Sequence, residues 1–298
     1  MSVLRGAVSM VAILAFLVVG SAWLCVLALL RLLAKPVPAL SRLVDSAMDR
    51  VIDGWAWWHR GLISGLALTR IEQQGAAWRE GELSRERWYL VLSNHQTWVD
   101  ILVLQTQLVD RVPPLKFFTK KQLLWVPFLG VAMWLLGFPY VNRYSRAQVE
   151  ADPSLRDRDR DNVRAACEGV RKRPTCILNF LEGTRFRPAK HAAQESTYQH
   201  LLMPRIGGVG VAMDALNDRL DAALDITLVY PDGVPSYWDF LCGRCPQVVM
   251  KAELRELPQA GQGEPEANQR ALISWVDELW SAKDEYLGDT VGDTRSAK

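Results

Sequence analysis

Trp88-Tyr89-Leu90-Val91-Leu92-Ser93-Asn94-His95-Gln96-Thr97-Trp98-Val99-Asp100-Ile101-Leu102-Val103-Leu104 is the stretch whose reading decides the fold. Trp88 to Leu92 is a continuous apolar run ending in a polar turn, the pattern of a buried strand, and Ile101 to Leu104 continues as a helix. A histidine therefore stands on a strand-to-helix turn with a carboxylate five residues on. Within one helix, side chains five apart diverge by about 140°, because a turn takes about 3.6 residues. His95 and Asp100 meet only if the histidine lies just outside the helix and the aspartate in its first turn. So placed, Asp100 would hold the imidazole in one tautomer and stabilise the imidazolium when it forms, as the aspartate of a hydrolase triad does. The same residues also read as a surface histidine on a loop followed by a capping aspartate, and the stretch alone leaves both readings open.

Upstream, Gly6 to Leu30 carries no charge and is dominated by Val, Leu, Ala and Ile. About twenty such residues cross a bilayer core. The run exceeds the usual apolar length of a signal peptide and no clear small-x-small site closes it, so a retained membrane anchor is expected. Arg31, Lys35 and Arg42 follow it against Arg5 alone before it. That asymmetry puts the rest of the chain on the cytoplasmic face of a bacterial-type inner membrane. After the Pro36 and Pro38 break, Leu40, Leu43, Val44, Ala47, Val51 and Trp55 recur at helical steps. They predict an amphipathic helix from Ala39 to about Leu68 lying on the bilayer, with Trp55, Trp57 and Trp58 at headgroup depth. The competing reading is a helix packed on the domain.

Downstream, strand candidates are Leu115 to Phe118, Phe138 to Val141, Cys176 to Phe180, Leu224 to Tyr230 and Gln247 to Ala252. Helical stretches such as Val163 to Val170 and Val209 to Ala222 separate them. The alternation predicts an α/β fold: a mostly parallel central sheet flanked by helices, preceded by an N-terminal membrane-associated helical segment. The expected organisation is 1–70 as anchor and interfacial helix, 71–288 as the α/β domain and 289–298 as a disordered tail. The segment Asp152 to Arg164, with alternating Asp and Arg, reads as a solvated loop and helix start. A net charge of +2 carries no nucleic-acid footprint, while twelve tryptophans suit a membrane interface. Five scattered cysteines imply no disulfide framework. Cys242 and Cys245 form one close pair that no second pair or nearby histidine completes, so no metal is expected and a structural role is the simpler reading.

A second constellation follows strand Cys176 to Phe180. In Leu181-Glu182-Gly183-Thr184-Arg185, Gly183 lets backbone approach closely, Thr184 offers a hydroxyl and Arg185 a bidentate fork for phosphate. Glu182 would hydrogen-bond a substrate hydroxyl or brace the arginine. Between the two constellations, Lys120 and Arg143 each adjoin a strand end and are candidates to share an anionic headgroup with Arg185.

Together these stretches resemble a family. Asn94 to Asp100 is similar to the N-H-x4-D motif of the glycerolipid acyltransferases, the lysophosphatidic acid acyltransferase superfamily, and Leu181 to Arg185 to its E-G-T-R motif. Thr119 to Trp125 and Gly137 to Arg143 resemble the intervening blocks. Leu181, where many members have proline, and Leu202-Met203-Pro204-Arg205-Ile206-Gly207-Gly208 are closer to the lysocardiolipin acyltransferase-like branch. Ile226 to Asp232 departs from the usual V-P-x-x-P-V strand. The resemblance implies that His95 is the general base and Asp100 its partner, with Glu182, Gly183, Thr184 and Arg185 at the acceptor. It also implies that Lys120 and Arg143 bind glycerol phosphate. The implied reaction moves an acyl group from acyl-CoA or acyl carrier protein, a co-substrate and no cofactor, to the sn-2 hydroxyl of lysophosphatidic acid. Lysophosphatidylglycerol or lysocardiolipin is the alternative acceptor, and a thioesterase or a non-catalytic membrane lipid-binding protein the remoter reading.

Overall fold

The computed structural model describes residues 1–141, 151–152, 154–216, 218–258 and 265–296. Two long helices open the chain, α1 (Ser2–Ala34) and α2 (Pro38–Gly65). Pro38 stands in the first turn of α2, where its missing N–H costs nothing. Then follow β1 (Arg70–Gln74), β2 (Trp88–Ser93), α3 (Val99–Leu108), β3 (Leu115–Phe117), β4 (Thr119–Lys120), α4 (Leu129–Leu135) and β5 (Tyr140–Val141). The chain continues through α5 (Ser154–Val170), β6 (Cys176–Phe180), α6 (Pro188–Gln194), α7 (Ile206–Leu216), β7 (Leu220–Val229), α8 (Tyr237–Leu241), β8 (Gln247–Arg255) and α9 (Pro265–Ser296).

Six strands make one sheet in the order β1-β8-β7-β2-β6-β3, parallel except where β7 and β8 run antiparallel. This is the expected mostly parallel sheet. Side chains of β2 alternate between two cores: Tyr89 and Val91 pack with α3, while Leu90 and Leu92 face Val276, Leu279 and Trp280 of α9. Both faces are covered, which explains why the strand reads as an unbroken apolar run. A buried lysine ties α9 to β7. Lys283 donates to the Asp225 carboxylate at 2.7 Å, the Ile226 carbonyl at 2.6 Å and the Thr227 hydroxyl at 2.9 Å.

Several expectations shift. The predicted helix Val209 to Ala222 stops at Leu216, because Leu220 and Ala222 pair with Trp88 and Tyr89 as the start of β7. The Asp/Arg stretch is largely the exposed side of α5, which begins at Ser154. Phe138 to Val141 yields only the two-residue β5, paired with β4 in a separate sheet. The tail expected to be disordered from 289 is helical to Ser296. Gly288 interrupts the apolar pattern without ending the helix, and the Thr290 hydroxyl donates back to the Tyr286 carbonyl at 2.8 Å.

The N-terminal helices lie against the domain. α2 buries Val44, Met48, Ile52, Ala56, His59 and Ile63 on one face, while Leu40, Leu43, Trp57 and Trp58 stay exposed. Trp55 instead turns inward, donating to Gln105 at 3.2 Å. By length and composition α1 is able to cross a membrane. It touches the domain near its start, where Ser9 donates to the Leu241 carbonyl at 3.4 Å, and in its middle, where Ser21 donates to the Phe128 carbonyl at 3.3 Å.

Candidate active site

The end of β2 and the start of α3 have the geometry that a pairing of His95 with Asp100 requires. Asp100 is the second residue of α3 and His95 lies outside it, with Nδ1 2.8 Å from Asp100 Oδ2. The same oxygen accepts the backbone N–H groups of Gln96 at 2.6 Å and Thr97 at 2.9 Å, the two amides of the turn just ahead of α3. Asp100 Oδ1 accepts the Tyr230 hydroxyl at 2.5 Å. Burial first, then the Asp100 charge, push the Tyr230 phenol well above its ordinary range, so it remains a donor. With Nδ1 facing a carboxylate, the neutral imidazole carries its hydrogen there and leaves the Nε2 lone pair to accept a proton. The ring stacks on Phe180, centroids 3.9 Å apart and planes 16° from parallel.

Asn94 fixes where the turn leaves the sheet. Its amide donates to the Leu228 carbonyl and accepts the Leu228 N–H, both at 2.9 Å, so the side chain continues the β2–β7 ladder after the backbone has turned away.

The second constellation is bonded directly to the first. Ser93 and Phe180 are partners in the β2–β6 register, which brings both strand ends to one level. The His95 N–H donates to Glu182 Oε1 at 2.7 Å and the His95 carbonyl accepts the Phe186 N–H at 2.7 Å. Glu182 is fully buried, and its other oxygen accepts the Leu202 N–H at 3.1 Å. It therefore braces one loop against another through backbone amides and, among the described residues, is not bonded to Arg185. A fully buried carboxylate satisfies its lone pairs with whichever donors the fold supplies, here two backbone amides.

Arg185 lies over the Trp98 ring at 4.7 Å, so the fork is held beside the first turn of α3. The Thr184 hydroxyl accepts a hydrogen bond from Lys190 on α6, which brings a second cationic group beside Arg185 to this turn. Gly183 has φ +65°, and a Cβ there would come within 2.7 Å of the Arg205 side chain, so only glycine fits. Lys120 is placed by its backbone alone, opposite Val141 in the β4–β5 pair, and Arg143 lies outside the described residues. Tyr230, Lys190 and Arg205 are site groups to which the sequence assigned no role. Tyr230 and Arg205 lie within the blocks 226–232 and 202–208 compared with the family, and no local signal singles out Lys190. Cys242 and Cys245 are buried free thiols.

Along α3 an apolar cavity of about 430 Å³ opens between the N-terminal helices and the domain. Phe16, Leu24, Trp55, Trp98, Ile101 and Met133 are among its lining residues. It is of the size of small-ligand pockets, which run ~300–1,000 Å³. The site thus joins a proton acceptor, a cationic turn and an apolar recess.

Glu182 gives a testable electrostatic signature. Burial, only partly offset by its two N–H donors, raises its carboxyl from 4.5 to about 7. A folded value above the unfolded one means that the native state holds the proton more tightly, so this group's contribution to stability declines as pH rises from about 4.5 to about 7. The difference amounts to roughly 3 kcal/mol. Glu182→Gln removes that slope and leaves one backbone N–H facing an amide donor, at a cost of about 1–3 kcal/mol. Its melting-temperature deficit relative to the parent should therefore be larger at acid than at mildly alkaline pH. A deficit independent of pH would refute the raised value.

Residues 78–231 match the acyltransferase family model. The 1-acyl-sn-glycerol-3-phosphate acyltransferase epsilon of Mus musculus is 27% identical over 233 residues, covering 70% of this chain and 59% of that protein. The 1-acyl-sn-glycerol-3-phosphate acyltransferase 3 of Arabidopsis thaliana is 25% identical, covering 69% and 54%. Lysocardiolipin acyltransferase 1 of Danio rerio is 26% identical, covering 80% and 60%. The chain thus spans between 54% and 60% of the length of these relatives. Among solved structures, the 1-acyl-sn-glycerophosphate acyltransferase of Thermotoga maritima is similar at 16% identity and a TM-score of 0.48, covering 95% of this chain and 97% of that one.

Proposed function

This chain belongs to the acyltransferase family, and on that premise we propose that it transfers an acyl group from a coenzyme A or acyl carrier protein thioester to the sn-2 hydroxyl of 1-acyl-sn-glycerol-3-phosphate. The observation that carries the reading is the direct bonding of His95, through its N–H and its carbonyl, to the Glu182 to Phe186 turn. A base and a phosphate-binding turn locked together suit an acceptor that carries a hydroxyl and a phosphate on one small backbone.

In the reaction, His95 Nε2 takes the hydroxyl proton as the acceptor oxygen attacks the thioester carbonyl. The tetrahedral intermediate collapses by breaking the carbon–sulfur bond, and the imidazolium returns the proton to the departing thiolate. Asp100 stabilises the imidazolium between the two steps. No protein nucleophile is needed. Arg185 and Lys190 would hold the acceptor phosphate, and the cavity along α3 would take an acyl chain.

Labelled acyl thioester supplied with lysophosphatidic acid, lysophosphatidylglycerol or lysocardiolipin tests the assignment. Labelled phosphatidic acid should form fastest. Equal release of free fatty acid with and without acceptor would make the chain a thioesterase, and a faster product from lysocardiolipin would move the acceptor to the larger headgroup. Arg185→Ala should raise the acceptor KM about 10–100-fold, the worth of a charge-assisted pair of roughly 1.5–3 kcal/mol, with a smaller change in kcat. An unchanged KM would remove Arg185 from the phosphate.

The contacts of α1 support a membrane mode in which both of its ends remain on the cytoplasmic side. Arg5 donates to the Ala67 carbonyl at 3.2 Å near the start, and Arg31 pairs with Asp45 at 2.7 Å near the end. A helix standing across the bilayer would carry one of these partners to the opposite face. Lying obliquely in one leaflet, α1 would seat the acyl cavity against lipid.

A further inference from the structure

α4 has two apolar faces. Leu129, Ala132, Met133 and Leu136 line the cavity. On the other side Val131 is 47% exposed and Trp134 63%, while Phe128 and Trp125 just before the helix are 49% and 88% exposed. Four large apolar groups within ten residues make a patch that a soluble surface does not carry without a partner.

The exposure is built in. Gly130 packs so closely on the Lys121–Trp125 turn that a Cβ would fall 2.2 Å from the Leu124 carbonyl oxygen. The Gly130 N–H donates to Val126 at 2.9 Å, and its carbonyl accepts the Tyr140 hydroxyl at 3.0 Å. Phe128 adopts φ +61°, a strained corner for a non-glycine residue, and its carbonyl is held by Ser21 of α1. The patch is thus presented by a tied segment.

What covers it follows from its neighbour. Ala132 packs with Leu24 and Leu27 of α1, whose outer face leaves Val18, Val19, Trp23 and Val26 exposed. The α4 patch continues that surface, and exposed Lys121 stands at its edge where an anionic headgroup would lie. We propose that residues 121–136 form a second membrane-entering element, whose outer face is occupied by lipid and whose inner face is the bilayer-side wall of the acyl cavity. Acyl chains then reach the cavity sideways from the leaflet, past α4, without passing through water. The proposal rests on the reading of α1 as a membrane helix and extends it to the catalytic domain itself.

The test uses the full chain with exposed Cys25 replaced by serine, the other four cysteines being buried. Bimane is attached at Trp134→Cys, at Val19→Cys on α1, or at Glu86→Cys on the polar surface. Each protein is mixed with vesicles of phosphatidylethanolamine and phosphatidylglycerol carrying doxyl-labelled chains. The labels at 134 and 19 should each lose about half of their emission and the label at 86 almost none, as expected for groups at and away from the acyl boundary. Quenching at 19 without quenching at 134 would overturn the proposal and leave the α1 reading standing, whereas quenching at neither would overturn both. A blue shift at 134 that grows with protein concentration in the absence of vesicles would assign the patch to a second copy and also overturn it. In assays, Trp125→Ser with Trp134→Ser should lower turnover of vesicle-borne acceptor about tenfold and spare a water-soluble short-chain acceptor. Equal losses on both acceptors would count against a lipid contact.

Discussion

Replacement of His95 by alanine is expected to lower kcat for acyl transfer by roughly 10²–10⁴-fold while the acceptor KM stays within about threefold. The effect falls on kcat because, among the described residues, the side chain bonds Asp100 and stacks on Phe180, while the cationic groups proposed for the phosphate, Arg185 and Lys190, lie on the other motif. The bonds that join this turn to the second motif run through the His95 backbone and survive truncation. Steady-state rates against acceptor concentration, with a thermal melt to show that the variant is folded, check the expectation. A folded variant that keeps more than about a tenth of kcat would mean that the hydroxyl proton leaves by another route. His95→Gln keeps polarity and bulk without a titrating group and should be as slow as alanine.

That turn was legible in the sequence because its signals are local. An apolar run followed by a polar turn and another apolar run gives strand, loop and helix, and the five-residue spacing places His95 outside the helix if it is to meet Asp100. The bracing by Glu182 was hidden because its partners are backbone amides at positions 95 and 202. The first is brought near by the parallel register of β2 and β6 and the second by the segment after α6, where the Arg205 N–H donates to the Leu181 carbonyl. β1 escaped notice for a different reason. Arg70-Ile71-Glu72-Gln73-Gln74 has one large apolar residue, since an edge strand pairing only with β8 has little surface to bury. The face of α2 was half readable. Of the stripe read at helical steps, Val44 is buried while Leu40 and Leu43 stay exposed, and the burial of Met48, Ile52 and His59 and the inward turn of Trp55 depend on the surfaces they meet. Likewise α4 reads as a plain apolar run, and only the structure separates the residues lining the cavity from those facing outward.

Asp100→Asn is the companion test, with an expected kcat loss of roughly 10³–10⁴-fold and a stability loss of about 1–3 kcal/mol. The carboxylate is fully buried and meets four donors: His95, Gln96 and Thr97 at Oδ2, and Tyr230 at Oδ1. An asparagine has one acceptor oxygen and one donating amide, so it satisfies this set in only one orientation. Facing three donors, the Oδ2 position has to stay an oxygen. The amide then points at Tyr230, whose hydroxyl can rotate and accept. In that orientation His95 keeps its tautomer, and what is lost is the negative charge that stabilises the imidazolium between proton uptake and release. In the opposite orientation the amide donates to Nδ1, moves the ring hydrogen to Nε2 and removes the base altogether. Tyr230→Phe separates charge from hydrogen bonding, because it deletes one donor and leaves the carboxylate ionised. It should lower kcat by no more than about tenfold, the worth of a single hydrogen bond. If Asp100→Asn folds and stays within about tenfold of the parent kcat, the aspartate serves only to cap α3 and hold the turn, and the imidazolium does not depend on its charge.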